Sequence, residues 1–365
     1  MKIAIVTDAW RPQTNGVVTT LSRTAACLRA FGHDVILMTP ENLWTIPCPT
    51  YPEIRLALFQ GRHVASWLEH ERPDALHIAT EGPLGMAARR AALRQNLSFT
   101  TSYHTQFPQY LRARYPLPEG VTYAGLRWFH SRAARTLVGT EHVRRELERH
   151  GFRNLVLWSR GVDTELFHPR ADAKERAGLA GRGPVLMFVG RVAVEKSVED
   201  LLRVPVAGTK VIVGDGPALH ELKARYPEAI FTGYKYGEEL ATLLAAADVF
   251  VFPSRTDTFG LVMLEAMASG VPVAAYPVTG PIDVVVDGKV GCLREDLKEA
   301  IAGALLIDRA AAREYAMGFR WENASTQFLN HLVDARAPRG VAVRPAIAGA
   351  QARATPGEAP PAGHA

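Results

Sequence analysis

SRTDTFGLVMLEAMASG occupies residues 254–270. The apolar, β-rich run ADVFVFPS at 247–254 leads into it. Asp257 falls in the turn after that run, beside Thr258, Phe259 and Gly260, and the apolar spacing from Leu261 predicts a helix over 261–269. Glu265 then lies one turn into that helix. The helix start offers unpartnered N–H groups and the positive end of the helix dipole, a combination that holds anions. In that setting Asp257 can accept sugar hydroxyls and Glu265 can hold a ribose. The bland alternative makes Asp257 a helix cap and Glu265 a surface acid. Leu264, Ala266 and Met267 around Glu265 argue for burial, and a buried acid needs a partner.

The same strand–turn–helix unit repeats in both directions. KIAIVTD, HDVILMTP, DALHIAT, LSFTTSYHT, RTLVGT and NLVLWSR read as buried strands, with helices over 17–30, 85–95, 121–134 and 141–150 between them. The rhythm restarts with GPVLMFVG, TKVIVGDGP, EAIFTG, ADVFVFPS and GVPVAAYP, and helices over 218–226, 238–247 and 261–269. Alternation of this kind predicts parallel sheets covered on both faces. The polar stretch 161–183 reads as the linker. The predicted organisation is two doubly wound domains, 1–165 and 166–315, with a ligand in the cleft at their strand ends. Residues 309–335 read as helix, the part from 316 packing back on the first domain. The Ala/Pro/Gly-rich end, 336–365, reads as a disordered tail.

The composition is that of an ordinary globular protein: 365 residues, 47% hydrophobic and 22% charged. Three dispersed cysteines, Cys27, Cys48 and Cys292, form neither a metal spacing nor a disulfide framework, which points to a reducing compartment. The apolar run at the start ends at Asp8, too short for a secretory signal. No stretch of about 18 uncharged apolar residues predicts a membrane span. The expected location is therefore cytoplasmic, or peripheral on the inner face of the plasma membrane. The net charge of +5 divides into +6 for residues 1–165, −4 for 166–335 and +3 for the rest. A basic first half fits an anionic partner such as a phospholipid surface, or simply solvated arginines. Nucleic acid is a poor partner, because the charge is modest and no recognition motif is present.

Three further loops follow strands. In DAWRPQTNGVVTT, Asn15-Gly16 lets backbone approach a ligand, and the next helix offers N–H groups. The G-x-G-x-x-G dinucleotide fingerprint is absent there. In TSYHTQFPQY, His104 stands at a strand end, where a histidine can hydrogen-bond a substrate hydroxyl; His33, His77 and His150 read as ordinary structural histidines. In FVGRVAVEKSVED, Arg191 and Lys196 suit a diphosphate, Arg as a fork and Lys as a point charge.

These residues together resemble glycosyltransferase family 4, retaining enzymes of the GT-B fold. The family pattern S-x-x-E-x-F-G-L-x-x-L-E-A-M-A-x-G lies along 254–270, with Asp257 where the pattern has Glu. Gly190-Arg191 with Lys196, Gly214-Asp215-Gly216-Pro217 and Gly161-Val162-Asp163 follow other family signatures, and the resemblance spans roughly 1–335. PSRTDTFGLV, RPQTNGVV and SYHTQFPQY are most similar to the bacterial branch of GDP-mannose-dependent α-mannosyltransferases, which in turn resembles glycolipid synthases.

The resemblance implies two Rossmann-like domains facing a central cleft, no metal, and no cofactor beyond a nucleotide-sugar donor substrate. It implies that Arg191 and Lys196 hold the donor diphosphate and Glu265 the ribose. Asp257, Thr258, Phe259, Gly260 and Leu261 take the sugar and phosphate end, Gly214 lies by the base, and Gly16 closes over the phosphates. His104 contacts the sugar near the reacting carbon. The implied reaction moves a hexose, mannose from GDP-mannose first, to a hydroxyl of a lipid or glycan acceptor. Arg112, Arg114, Arg127, Arg132 and Arg135 with Tyr110, Tyr115, Trp128 and Phe129 would then face an anionic membrane. The alternatives are a UDP-sugar-dependent glycolipid synthase, which moves glucosyl, galactosyl, glucuronosyl or sulfoquinovosyl to diacylglycerol, a GT-B epimerase, and a non-enzymatic nucleotide-sugar sensor.

Overall fold

The computed structural model of the chain describes residues 1–13, 15–41, 43–48, 51–104, 118–257 and 259–337, with backbone alone at 51–53. The first half runs β1 (Lys2–Val6), α1 (Gly16–Ala30), β2 (Asp34–Met38), β3 (Ile46–Cys48), β4 (Tyr51–Leu56), α2 (Gly61–Glu71), β5 (Ala75–Ile78), α3 (Pro83–Arg94), β6 (Thr100–Tyr103), α4 (Glu119–His130), β7 (Arg135–Val138), α5 (Glu141–Arg149) and β8 (Leu155–Leu157). The second half runs α6 (Ala173–Arg176), β9 (Val185–Val189), α7 (Val198–Arg203), β10 (Thr209–Val213), α8 (Leu219–Arg225), β11 (Ile230–Gly233), α9 (Gly237–Ala246) and β12 (Val249–Phe252). It continues with α10 (Leu261–Ala268), β13 (Val273–Ala275), α11 (Pro281–Val284), β14 (Gly291–Leu293), α12 (Leu297–Ala304), α13 (Arg309–Ala316) and α14 (Trp321–His331).

Two six-stranded sheets result, ordered β2-β1-β5-β6-β7-β8 and β11-β10-β9-β12-β13-β14, and every neighbouring pair in them is parallel. Strand alternation explains the unbroken apolar runs. Phe250 and Phe252 of β12 enter one buried cluster, and Val249 and Val251 enter the cluster on the opposite face. The N-terminal and C-terminal sheets are thus each sandwiched between helices. In both, the strand order doubles back near the first strand, so the ligand crevice lies at those carboxyl ends.

Three sequence expectations change. The antiparallel β3–β4 hairpin and α2 were not legible as units, because Pro47, Cys48 and Pro52 give the hairpin no alternating pattern. The helix expected over 309–335 is two helices, with Met317–Arg320 outside both. The segment 161–183 is not a free linker: Phe167, Ala173 and Leu179 are buried in the C-terminal core.

The chain passes between the two sheets at residues 161–163 and returns beside them at 318–321. Val162 N–H donates to the Phe319 carbonyl at 3.0 Å, and Val162 forms a parallel bridge with Arg320. A Cβ on Gly161 would lie 2.6 Å from the Trp321 backbone nitrogen and Cα. After this crossing α14 lies on α1. Phe328, Leu329 and Leu332 join Ile3, Ile5, Leu21, Leu28 and Trp158 in one buried cluster of the N-terminal domain. Gly161→Ala should therefore destabilise the protein by about 1–3 kcal/mol through backbone overpacking at the crossover. Thermal or urea unfolding checks this; wild-type stability would mean that the two crossing strands separate without cost.

Candidate functional site

The carboxyl ends of β9, β10 and β12 form the floor of the C-terminal half of the cleft. Gly190 N–H donates to the Val213 carbonyl at 3.0 Å and Val192 N–H to the Asp215 carbonyl at 2.9 Å. The loops after β9 and β10 are therefore backbone against backbone. Gly214 has φ +140° and its missing Cβ would overlap the Gly190 carbonyl oxygen, so only glycine fits. Arg191 leaves this floor directly, and Lys196 ends the 3-10 turn Val194–Lys196 just after it.

Lys196 is tied to the turn after β12. Its Nζ lies 2.6 Å from Asp257 Oδ1 and 2.7 Å from Oδ2, with both side chains largely buried. The hydroxyls of Ser254 and Thr256 both donate to the Glu195 carbonyl at 3.4 Å, which locks the two turns together around the ion pair. Two residues expected to serve different parts of one ligand thus hold each other here.

Gly260 follows at φ +80°, ψ +65°, the left-handed N-cap of α10. A Cβ there would sit 2.7 Å from Met263 Cε and 3.0 Å from Phe252 Cζ. Glycine fits both demands, and a glycine cap leaves the first N–H groups of α10 with no side-chain acceptor. Phe259 is buried beside it. Gly280, at φ +95°, lets the loop before α11 run under this turn, 2.9 Å from the Asp257 carbonyl to where its Cβ would be. Thr258 lies outside the described residues.

Glu265 is partly open to the cleft, and among the described residues its carboxylate makes no hydrogen bond. Burial raises its carboxyl from 4.5 to about 7, opposed by the Arg23 cation and reinforced by Asp163. Arg23 and Asp163 are themselves paired at 2.8 Å across the domain seam. Neither was singled out from sequence, although Asp163 stands in the Gly161-Val162-Asp163 signature.

The N-terminal domain supplies the opposite wall. Gly16 meets it: its Cβ would be 3.4 Å from Leu261 Cδ1 of α10. The start of α1 differs from expectation, because Asn15 Oδ1 accepts from Val17 and Val18 N–H at 3.0 Å. Those N–H groups are already occupied by the cap. His104 is buried at the end of β6, and burial together with the Arg160 cation drives its pKa well below the usual value. His77 beneath it is a satisfied core residue, 2.9 Å from both Thr100 and Ser102 hydroxyls. Asp8, at the end of β1, is also committed to structure: it accepts from Leu84 and Gly85 N–H at the start of α3. A second polar contact crosses the seam where His142 Nδ1 of α5 meets Asp283 Oδ1 of α11 at 2.7 Å. Among the described residues no group of three or more His, Cys, Asp or Glu side chains is arranged to hold a metal ion, and no helix is long and apolar enough to cross a membrane.

The position of Glu265 has a consequence for stability. Between pH 4.5 and about 7 the folded chain holds a proton there that the unfolded chain has released, so this group makes folding less favourable as pH rises through that window. Glu265→Gln removes the penalty. It should raise the unfolding midpoint at pH 8 by roughly 2–4 °C and leave it nearly unchanged at pH 5. Scanning calorimetry at the two pH values checks this; an equal effect at both would place the ionisation elsewhere.

Residues 183–307 match the family model described as Glycosyl transferases group 1, and residues 14–166 match Glycosyltransferase Family 4. A GDP-mannose-dependent alpha-mannosyltransferase of Corynebacterium glutamicum is 34% identical over 371 residues, covering 92% of this chain and 89% of that protein. The sulfoquinovosyl transferase of Arabidopsis thaliana is 33% identical over 345 residues, covering 83% and 67%. Sucrose-phosphate synthase of Thermosynechococcus elongatus superposes with a TM-score of 0.74 at 22% identity, covering 90% and 97%. Two parallel-sheet domains, the motif at 254–270 with Asp257 in place of its first Glu, and these relatives agree: the chain belongs to glycosyltransferase family 4 and is a glycosyltransferase of the GT-B fold.

Proposed function

We propose that the protein moves a hexosyl group, mannose from GDP-mannose first, to a hydroxyl of a lipid or glycan acceptor, with retention of anomeric configuration and without metal. The observation that carries this reading is the Lys196–Asp257 pair beside the uncapped start of α10. The donor diphosphate takes Lys196, Arg191 and the N–H groups of α10, and its charge is neutralised as it leaves. Asp257, released from Lys196, accepts a hydroxyl of the sugar, and the backbone at Phe259 and Gly260 fixes the sugar's height. Glu265 accepts the ribose hydroxyls, which favours its ionised form. His104 donates to the sugar from the opposite wall. No cofactor takes part. The similarity to the Corynebacterium mannosyltransferase favours guanine and mannose. The similarity to the plant sulfoquinovosyl transferase keeps a UDP-sugar glycolipid synthase as the second reading.

Titration calorimetry with GDP, UDP and ADP in EDTA tests the donor site. GDP alone should bind, and near pH 6.5 binding should release protons, read as a dependence of the heat on the buffer's ionisation enthalpy. Selective UDP binding moves the assignment to the second reading. No binding of any of the three, with or without a metal, would remove the donor site from this cleft.

An anionic membrane surface is the proposed setting for a lipid acceptor, on a face that shares Trp128 with the cluster that sequence pointed to. Arg127 is spent on the His150 carbonyl and Arg135 on the Asn330 carbonyl, while Tyr110, Arg112, Arg114 and Tyr115 lie outside the described residues. Trp128 from that cluster lines a cavity of about 260 Å³ with Met86, Arg89, Arg90, Leu93 and Arg94 of α3. Arg89 is buried, stacks on Trp128 at 4.0 Å and donates to the Phe129 and Trp128 carbonyls, so Arg90 and Arg94 are the exposed cations here, beside the exposed Trp128 and Val121 of α4. Cations interleaved with exposed apolar groups suit an interface of anionic headgroups. Arg90→Glu with Arg94→Glu should weaken co-sedimentation with phosphatidylglycerol vesicles at least tenfold while leaving nucleotide binding intact. Equal partition of both proteins would take the membrane away from this face.

A further inference from the structure

We propose that Arg160 is a positioning residue for His104, fixing its imidazole as the neutral tautomer that carries the proton on Nε2. The inference rests on the reading of His104 as a substrate contact, and it adds a residue which the family signatures used above do not assign.

Arg160 follows β8 and is 5% exposed. Its Nη1 donates to the Trp158 carbonyl at 2.6 Å and to the Ser159 carbonyl at 3.2 Å. Its guanidinium lies 4.4 Å from the centre of the Trp158 ring. That ring is fixed in turn, because Trp158 Nε1 donates to the Ala324 carbonyl at 3.1 Å and the ring packs on Phe328. The remaining arm, Nη2, lies 3.4 Å from His104 Nδ1 with donor geometry. His104 packs edge-on to the same Trp158 ring at 5.7 Å. Among the described residues, no carboxylate is paired with Arg160.

A guanidinium has only donors. The nitrogen facing it must therefore accept, and a neutral imidazole that accepts at Nδ1 carries its proton at Nε2. The nearby cation and the buried setting both oppose a second proton, in the direction already described for His104. The ring is then a fixed donor to a sugar oxygen and never a base at the reacting centre.

Arg160 is also where this wall meets the donor turn. The position of a Cβ on Gly139 would be 3.6 Å from Arg160 Nη2 and 3.7 Å from Phe259 Cδ2. The guanidinium, Gly139 and the Phe259 ring thus form one seam between domains. A Cβ at 139 would be in van der Waals contact with both neighbours.

Ring-15N-histidine NMR tests the tautomer, with His104 assigned by the signals lost in His104→Gln. The expected spectrum has a pyridine-like Nδ1 and a pyrrole-like Nε2, unchanged from pH 5 to pH 8. In Arg160→Met the two tautomers should mix or the ring should titrate, and kcat should fall about 10–100-fold with donor KM little changed. Arg160→Lys restores a single donor and should recover the Nε2–H spectrum and part of kcat; it also keeps the test alive if the Met variant does not fold. A wild-type spectrum with the proton on Nδ1 would overturn the proposal, as would an Arg160→Met protein with unchanged spectrum and turnover. Wild-type turnover in His104→Gln would instead remove His104 from the reaction and the kinetic role of Arg160 with it, while the NMR result would still report the tautomer.

Discussion

Gly161 passes so close to the backbone of Trp321 that no Cβ fits between them, and the orientation of both sheets depends on that contact. Among the described residues the chain crosses between domains there, outward at 161–163 and back at 318–321, and Val162 bonds the two passages together. Two parallel sheets would otherwise be free to tumble on a flexible tether. With the crossover closed and α14 buried on α1, the carboxyl ends of β1, β6 and β7 face those of β9, β10 and β12. Contacts as small as Gly16 on Leu261 and Gly139 beside Phe259 then become possible, because a glycine on one wall receives a side chain from the other.

The cleft concentrates ionisable groups in unfavourable states. Burial raises Glu265 to about 7 in the C-terminal half, and burial lowers Arg160 to about 9 in the N-terminal half. Each would be more comfortable in water, and neither has an opposite charge bonded to it. By contrast, Asp8, a buried acid at the carboxyl end of β1, is hydrogen-bonded by two backbone N–H groups and the Thr80 hydroxyl. Groups kept charged or near their titration point where the fold gains nothing mark a surface arranged for a ligand. Donor and acceptor would bring the missing partners.

Periodicity made the two sheets legible because buried parallel strands are continuous apolar runs, and VLMFV, VFVF and KIAIV have no other reading. The turn at 257–260 was legible for a different reason: a glycine at a helix start with an acid before it has few structural uses. What sequence hid depends on contacts between distant segments. Arg160 and His104 are 56 positions apart, and Lys196 and Asp257 are 61 apart. Local pattern picked out His104, Lys196 and Asp257 one at a time, but it passed over Arg160 and could not show which of them meet. The start of α1 misled in the opposite direction, since Asn15 looks equally like a ligand loop and a helix cap, and only geometry shows its oxygen on Val17 and Val18. The Phe167 and Leu179 anchors were overlooked inside a polar stretch because Val162, Leu166, Phe167 and Leu179 are too unevenly spaced in it to make a period.

A domain with net charge −4 over 166–335 is a strange place to expect a diphosphate, and the resolution is distance. Salt screens exposed charges beyond roughly 8 Å at physiological ionic strength. Much of the acid on this domain is exposed and already matched: Glu238 by Arg170, Glu199 by Arg203 and Arg225, Asp287 by Arg294. At the site proposed for the donor, an entering phosphate would meet Arg191, Lys196 and the dipole of α10 at close range, in a partly buried floor where screening is weak. Asp257 sits on Lys196 in the resting state and offsets its charge. In the proposed reaction the carboxylate would be a counter-ion before the donor arrives and a hydroxyl acceptor after it. Its short side chain serves the first role well, because Lys196 spans the gap and holds both oxygens at once.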